Sequence, residues 1–279
     1  MSATRRFTQL DVFTATPLAG NPLAVVHDAA GLSDAQMAAF ARWTNLSETT
    51  FLLPPTDAAA DYRVRIFTPG GELPFAGHPT LGSCHAWLAA GGTPRRAGEV
   101  VQECGVGRVR IRRDGARLAF AAPPLRRSGA VDEPTLAHIA RSLRLDRDAI
   151  RASQWVDNGP GWVAVMLGSR DEVLALRPDF AAMHCLKLGV VAPCAPPHDA
   201  QFEVRAFVPT LGIPEDPVTG SLNAGLAQWL IGAGLASPRY VAAQGTVLGR
   251  DGRVFVERVA ADTWVGGDSV IVVRGEVAL

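Results

Sequence analysis

Along most of the chain, hydrophobic residues recur at every second position in runs short enough to be strands. RFTQLDVF (6–13), PLAVVHD (22–28), YRVRIFT (62–68), VRIRR (109–113), RLAFAAP (117–123), WVAVML (162–167), FEVRAFVP (202–209), RVFVERV (253–259) and SVIVVRGEVAL (269–279) are rich in Val, Ile and Phe and broken by Gly or Pro. A period of two with β-branched and aromatic residues predicts strands. Helical patterns are fewer. In SDAQMAAFARWTN (33–45), Ser33 and Gln36 form a capping box, and Leu32 with Met37 can form a hydrophobic staple. DEPTLAHIARSLR (132–144) carries Pro134 in its first turn. Two further segments, TLGSCHAWLAAGG (80–92) and SLNAGLAQWLIGAG (221–234), are small and apolar nearly all round. That predicts helices enclosed by sheet.

The segments leading into these two apolar helices resemble each other. Sliding the chain by 143 places Glu72 on Glu215, Pro74 on Pro217, Gly77 on Gly220, His78 on Ser221 and Gly82 on Gly225. Each is preceded by a strand ending in Phe-x-Pro, at 67–69 and 207–209, if a three-residue gap is allowed. The two explanations are chance among Gly- and Pro-rich loops and an internal duplication of strand, loop and buried helix. A duplication divides the 279 residues into halves at 1–126 and 127–279, near the linker-like AAPPLRRSGAVDEP (121–134). The C-terminal strand is free to return to the first half. Gly82 and Gly225 would let strands approach the helices closely. Gly77–His78 and Gly220–Ser221 stand where helix starts present unpaired N–H groups and a positive dipole end, so each is a candidate nest for a carboxylate or oxyanion.

Charge narrows the ligand. Lys plus Arg and Asp plus Glu both total 27, a net charge of zero, which argues against nucleic acid or anionic lipid as partner and for a small molecule. The paired arginines of GVGRVRIRR alternate as on one solvated strand face. MSATRRFTQLDVF has no apolar stretch behind its arginines, and no segment is long enough to span a bilayer, so the expected location is cytoplasmic. Cys84, Cys104, Cys185 and Cys194 form no CxxC pair, as expected of free thiols in a reducing compartment. His184, Cys185, Cys194 and His198 cluster in sequence but match no familiar zinc spacing, and no metal site is expected. The chain has no G-x-S-x-G elbow, P-loop or G-x-G-x-x-G, which leaves hydrolase, NTPase and nicotinamide readings without an anchor.

DVFTATPLAGNPLAVV (11–26), NLSETTFL (45–52), YRVRIFTPGGELPFAGHPTLGS (62–83), DNGPGWVAVML (157–167), FVPTLGIPEDPVTGSLNAGLAQWL (207–230) and VGGDSVIVVRGEV (265–277) together resemble the PhzF-like phenazine-biosynthesis family. The resemblance runs nearly end to end. It implies an α+β fold of the diaminopimelate-epimerase-like kind: two similar halves, each a sheet wrapped round a central helix, with the active site in the cleft between them. It also implies a homodimer and an isomerase without cofactor or metal, acting on a small cyclic carboxylate such as trans-2,3-dihydro-3-hydroxyanthranilate. By the same resemblance Glu48 is the proton shuttle, with His78 and Asp216 as further catalytic residues. Gly77, Gly220, Ser221 and Asn21 are substrate-binding positions, with Ser221 also a candidate helix N-cap. Epimerases of this fold place a thiol before each nest, where this chain has Ala76 and Thr219. That departure disfavours a two-thiol racemase and leaves an epimerase with other bases, or a silent binding homologue, as the competing readings. Cys84, inside its helix, is expected to be core filler.

Overall fold

The computed structural model describes residues 3–183, 186–211 and 213–279. The chain forms two compact units: Met1–Ala121 together with Gly266–Leu279, and Ala122–Val265. The division therefore falls a few residues before the expected 126, and the last strand belongs with the first unit.

The first unit contains β1 (Thr4–Val12), β2 (Asn21–Val26), α1 (Asp34–Thr44), β3 (Thr49–Leu53), β4 (Tyr62–Thr68), β5 (Gly71–Leu73), α2 (Gly77–Ala89), β6 (Glu99–Cys104), β7 (Gly107–Asp114) and β8 (Arg117–Ala121). The second contains β9 (Arg127–Gly129), α3 (Glu133–Leu143), β10 (Ala152–Asp157), β11 (Trp162–Met166), α4 (Arg170–Ala175), α5 (Phe180–Met183), β12 (Lys187–Pro193), β13 (Phe202–Val208), β14 (Ile213–Asp216), α6 (Gly220–Gly232), β15 (Arg239–Gln244) and β16 (Gly252–Val259). The chain then passes through β17 (Asp262–Gly267) back to the first unit and ends in β18 (Ser269–Ala278).

The strand ladders repeat. In the first unit β1 is antiparallel to β2, β2 is parallel to β3, β3 is antiparallel to β4, and β4 is parallel to β6 and folds back on β5. In the second unit β10, β11, β12, β13, β14 and β15 pair with the same senses in the same order. Parallel pairs need a crossover, and α1 and α2 supply it in the first unit as α4–α5 and α6 do in the second. The duplication read from the 143-residue shift is therefore a duplication of fold. β18 lies antiparallel to β1, from Thr4 opposite Ala278 to Val12 opposite Ser269, so the first and last strands of the chain share a ladder.

Both apolar helices are buried, as their composition requires. α2 buries every residue from Gly77 to Cys84, and α6 buries nine of its positions, including Asn223, Gly225 and Trp229. The two glycines permit this. A Cβ on Gly82 would stand 2.5 Å from Leu23 Cδ2, and one on Gly225 would stand 2.3 Å from the Val156 carbonyl oxygen. The capping box of α1 forms as expected, with Gln36 N–H donating to Ser33 Oγ, and α3 starts on Asp132 with Pro in its first turn. The expected solvated face of VRIRR also holds, since Val109 and Ile111 are buried while Arg108 and Arg110 are exposed.

Candidate active site

In the first unit the site begins where α1 stops. Asn45 takes a left-handed conformation at the end of α1 (φ 53°), the chain reverses, and the hydroxyls of Thr44 and Thr49, 2.8 Å apart, tie the ends of the short loop that carries Glu48. β3 follows at once, and Ser83 Oγ on α2 donates to Thr50 Oγ1 at 2.9 Å. This buried bond holds α2 beside β3, and thereby holds the first turn of α2 beside Glu48. His78 is the second residue of α2, with only 4% of its surface exposed. Its Nε2 lies 3.4 Å from Glu48 Oε2, and its Nδ1 lies 3.4 Å from Asn21 Nδ2. The two ring nitrogens therefore face different neighbours, Nε2 the Glu48 carboxyl group and Nδ1 the Asn21 amide. Asn21, 1% exposed at the head of β2, is thus part of the cluster.

Burial raises the Glu48 carboxyl from its ordinary 4.5 to about 7, and the neighbouring Ser47 hydroxyl pulls it down more weakly. The side chain keeps 15% of its surface open, so it is shielded but reachable. A carboxyl poised near neutrality can both take and return a proton at physiological pH. Cys84 cannot share this work. It is fully buried, and desolvation lifts its thiol to about 12.

In the second unit the corresponding helix start is built from different chemistry. The N-cap of α6 is Thr219, not Ser221, which corrects the expectation for Ser221. Ser221 sits one residue inside the helix, where its Oγ accepts from Trp162 Nε1 at 3.0 Å and its carbonyl accepts from Asn158 Nδ2 at 2.8 Å. With one lone pair of Oγ held by an indole that can only donate, the hydroxyl proton is directed elsewhere. Asp216 ends β14, and its Oδ2 accepts from Thr219 Oγ1 at 2.5 Å. Among the predicted site residues, Asn21, Glu48, Gly77 and His78 gather in the first unit, and Asp216, Gly220 and Ser221 gather in the second.

The helix caps separate these two helices from the rest. Ser33, Asp132 and Ser169 each accept a first-turn N–H with their side chains, whereas Ala76 before α2 and Thr219 before α6 accept none. The first-turn amides of α2 and α6 are thus not covered by a cap side chain. Sequence reading missed Gln102 and Gln244, which hold the two helix starts from beneath. Gln102 Nε2 donates to Thr80 Oγ1 at 3.0 Å, and Asn223 Nδ2 donates to Gln244 Oε1 at 2.8 Å. The signal was present, because Thr80 falls on Asn223 in the 143-residue shift and the two glutamines fall within one position of each other. No group of three or more His, Cys, Asp or Glu among the described residues is placed to hold a metal ion. His184 and Cys185 of the sequence cluster lie outside the described residues.

The duplicated unit of sheet and enclosed helix is that of the α+β, diaminopimelate-epimerase-like class. Sequence comparison is narrower. The family model described as phenazine biosynthesis-like protein, PhzC–PhzF, matches residues 10–275, and the chain belongs to that family. It is 34% identical to antisense-enhancing sequence 1 of Schizosaccharomyces pombe, over 97% of each chain. It is 33% identical to a trans-2,3-dihydro-3-hydroxyanthranilate isomerase of Pseudomonas fluorescens, over 97% of this chain and 98% of the relative. A crystal structure of a PhzF-family phenazine biosynthesis protein from Enterococcus faecalis superposes with a TM-score of 0.83 at 24% identity, over 99% of this chain and 100% of the other. The protein is an isomerase of the PhzF type. No helix among the described residues is long and apolar enough to cross a membrane.

Proposed function

We propose that the protein isomerises a small cyclic carboxylate by moving one proton between carbons, with Glu48 as the acid/base group and no cofactor. The observation that carries this reading is the buried Glu48–His78 pair, 3.4 Å apart, with the carboxyl group raised to about 7. In the forward direction the Glu48 carboxylate takes a proton from a substrate carbon, and the carboxylic acid so formed returns it to another carbon on the same face. His78, whose Nε2 lies 3.4 Å from Glu48 Oε2, stabilises negative charge as it develops. The uncovered first-turn amides at Gly77 and Gly220, with the Ser221 hydroxyl and Asp216, are the proposed binding groups for the substrate's carboxylate and amino functions. The names of relatives suggest trans-2,3-dihydro-3-hydroxyanthranilate as the substrate to test first.

The test is incubation with that compound in deuterated water, with carbon-bound deuterium followed by NMR. Wild type is expected to incorporate label, and Glu48→Gln to do so ~10²–10⁴-fold more slowly. The kcat/KM of wild type is expected to climb as pH rises through about 7, because the base must be ionised in the free enzyme. Label incorporation by Glu48→Gln at the wild-type rate would overturn the role of Glu48.

A further inference from the structure

The second unit contains a set of hydrogen bonds that the proposed chemistry does not use. Gln244 ends β15 with 1% of its surface exposed. Its Oε1 accepts from the Thr219 backbone N–H at 3.0 Å and from Asn223 Nδ2 at 2.8 Å. Its Nε2 donates to the Asp216 carbonyl at 3.1 Å and to Thr219 Oγ1 at 3.0 Å. A backbone N–H only donates and a backbone carbonyl only accepts, so Thr219 N–H and Asp216 C=O together fix which end of the amide is oxygen. The direction then propagates. Gln244 Nε2 occupies a lone pair of Thr219 Oγ1, and the single hydroxyl proton goes to Asp216 Oδ2, 2.5 Å away.

The surrounding backbone is shaped to keep this contact. Gly245 turns the chain in a left-handed conformation (φ 93°), and a Cβ there would meet the Pro217 carbonyl oxygen at 2.7 Å. A Cβ on Gly252 would meet Val218 Cγ2 at 2.4 Å. The Asp216–Thr219 segment is therefore pressed against β15 and β16 on both sides of Gln244, with no room for a side chain between them.

We infer that Gln244 and Thr219 form a one-way hydrogen-bond relay that positions the Asp216 carboxylate for substrate. Both are positioning residues, since each acts through Asp216 and not on the substrate itself. The inference rests on the reading that Asp216 binds substrate, and it adds the device that aims it. It also gives Thr219 a task, although its hydroxyl caps no helix amide.

Two measurements test it. The first is turnover of trans-2,3-dihydro-3-hydroxyanthranilate. Thr219→Val keeps the shape and removes the hydroxyl, and its kcat/KM is expected to fall roughly 10–100-fold, the loss typical of a hydrogen bond to a charged group. Thr219→Ser is expected to restore the wild-type value. Gln244→Glu keeps an acceptor oxygen but loses the donor, and combined with Thr219→Val it is expected to lower kcat/KM no further than the worse single change, because both break one relay. The second measurement needs no turnover: the ¹³C signal of the Asp216 carboxyl carbon, identified by its loss in Asp216→Asn. It is expected to move in Thr219→Val and Gln244→Glu and to return in Thr219→Ser. An unmoved signal in folded Thr219→Val, or wild-type turnover by that variant while Glu48→Gln is impaired, overturns the relay and leaves the proposed function standing. A moved and Ser-rescued signal in a protein that does not turn the compound over supports the relay and rejects that substrate. If Thr219→Val does not fold, Gln244→Glu carries both readouts.

Discussion

Arg65 and Arg205 do the same work in two different surroundings. Each sits on the strand before a β-hairpin and grips the glutamate across it with two parallel bonds: Arg65 to Glu72 at 2.8 and 2.6 Å, and Arg205 to Glu215 at 2.9 and 2.7 Å. Each guanidinium also lies over the phenylalanine two residues on, 5.1 Å from Phe67 and 4.9 Å from Phe207. In the first unit the side chains keep 22% and 41% of their surface exposed, and in the second only 4% and 7%. The repeat thus conserves a geometry while its electrostatic weight changes. An exposed pair is screened and weak, whereas a buried one must stay paired because neither charge has water to fall back on. Arg205 further donates to the carbonyls of Val173 and Leu176, which makes it the tie between the hairpin and the end of α4.

The helix starts differ too: the first unit places a carboxyl raised to about 7 beside an imidazole, and the second places the Asp216 carboxylate among hydroxyls, amides and an indole. The largest effect expected from breaking the symmetry is catalytic. Glu48→Gln should cost ~10²–10⁴-fold in turnover, whereas Ser221→Ala should cost on the order of 10-fold, as for one neutral hydrogen bond. Steady-state kinetics on both variants decides this, and equal losses would mean that the two helix starts share the chemistry. Next come the clamps. Glu215→Ala should destabilise the fold by ~3–5 kcal/mol and Glu72→Ala by less than ~1 kcal/mol, as read by urea unfolding. The paired change Arg205→Met with Glu215→Leu should recover most of the loss, because it removes both buried charges together.

A third test uses pH. The folded chain holds the Glu48 proton up to about 7, while in the unfolded chain it leaves near 4.5, so between these values the folded state binds more protons and stability falls as pH rises. Glu48→Gln removes that penalty. Relative to wild type it should be stabilised by at most ~3 kcal/mol at pH 8, with no gain below about pH 4.5. The 15% of the side chain that stays exposed reduces the gain. The smallest contrast is between the glycines. Gly225→Ala drives a methyl into a backbone carbonyl that cannot move aside, while Gly82→Ala meets the ends of the Leu23 and Val12 side chains. Both overpack at ~1–3 kcal/mol, with Gly225→Ala at the upper end, and thermal unfolding of the two variants would show no difference if backbone and side chain yielded equally.

Much of this was legible in the sequence, and the reasons differ from place to place. The strands with strict alternation were visible, as were the two helices without a polar face, because each pattern reports its own surroundings. ASQWVD (152–157) and RYVAAQ (239–244) gave weaker signals, since small and polar residues interrupt their alternation, and their ladders with β9 and β11 and with β13 and β16 define them as strands. Glu48 and His78 stood in recognisable motifs, but their 3.4 Å approach depends on the Asn45 turn and the Ser83–Thr50 bond, and neither is a pattern in the chain. Ser221 was misread as a cap because Ser before an apolar run usually is one. Here the helix begins earlier, at Gly220, and the serine faces Trp162. Gln244 escaped notice because its match with Gln102 lies one position off the 143-residue shift, and its bonds to Asp216, Thr219 and Asn223 form only in the fold.

The antiparallel partnership of β1 with β18 joins residues very far apart in sequence, Thr4 with Ala278 among them. During synthesis the nascent second unit, a continuous stretch from Ala122 to Val265, can complete its ladders while the first still lacks a strand. The half that carries the proposed proton shuttle would then be the later of the two to close, once β18 had been made.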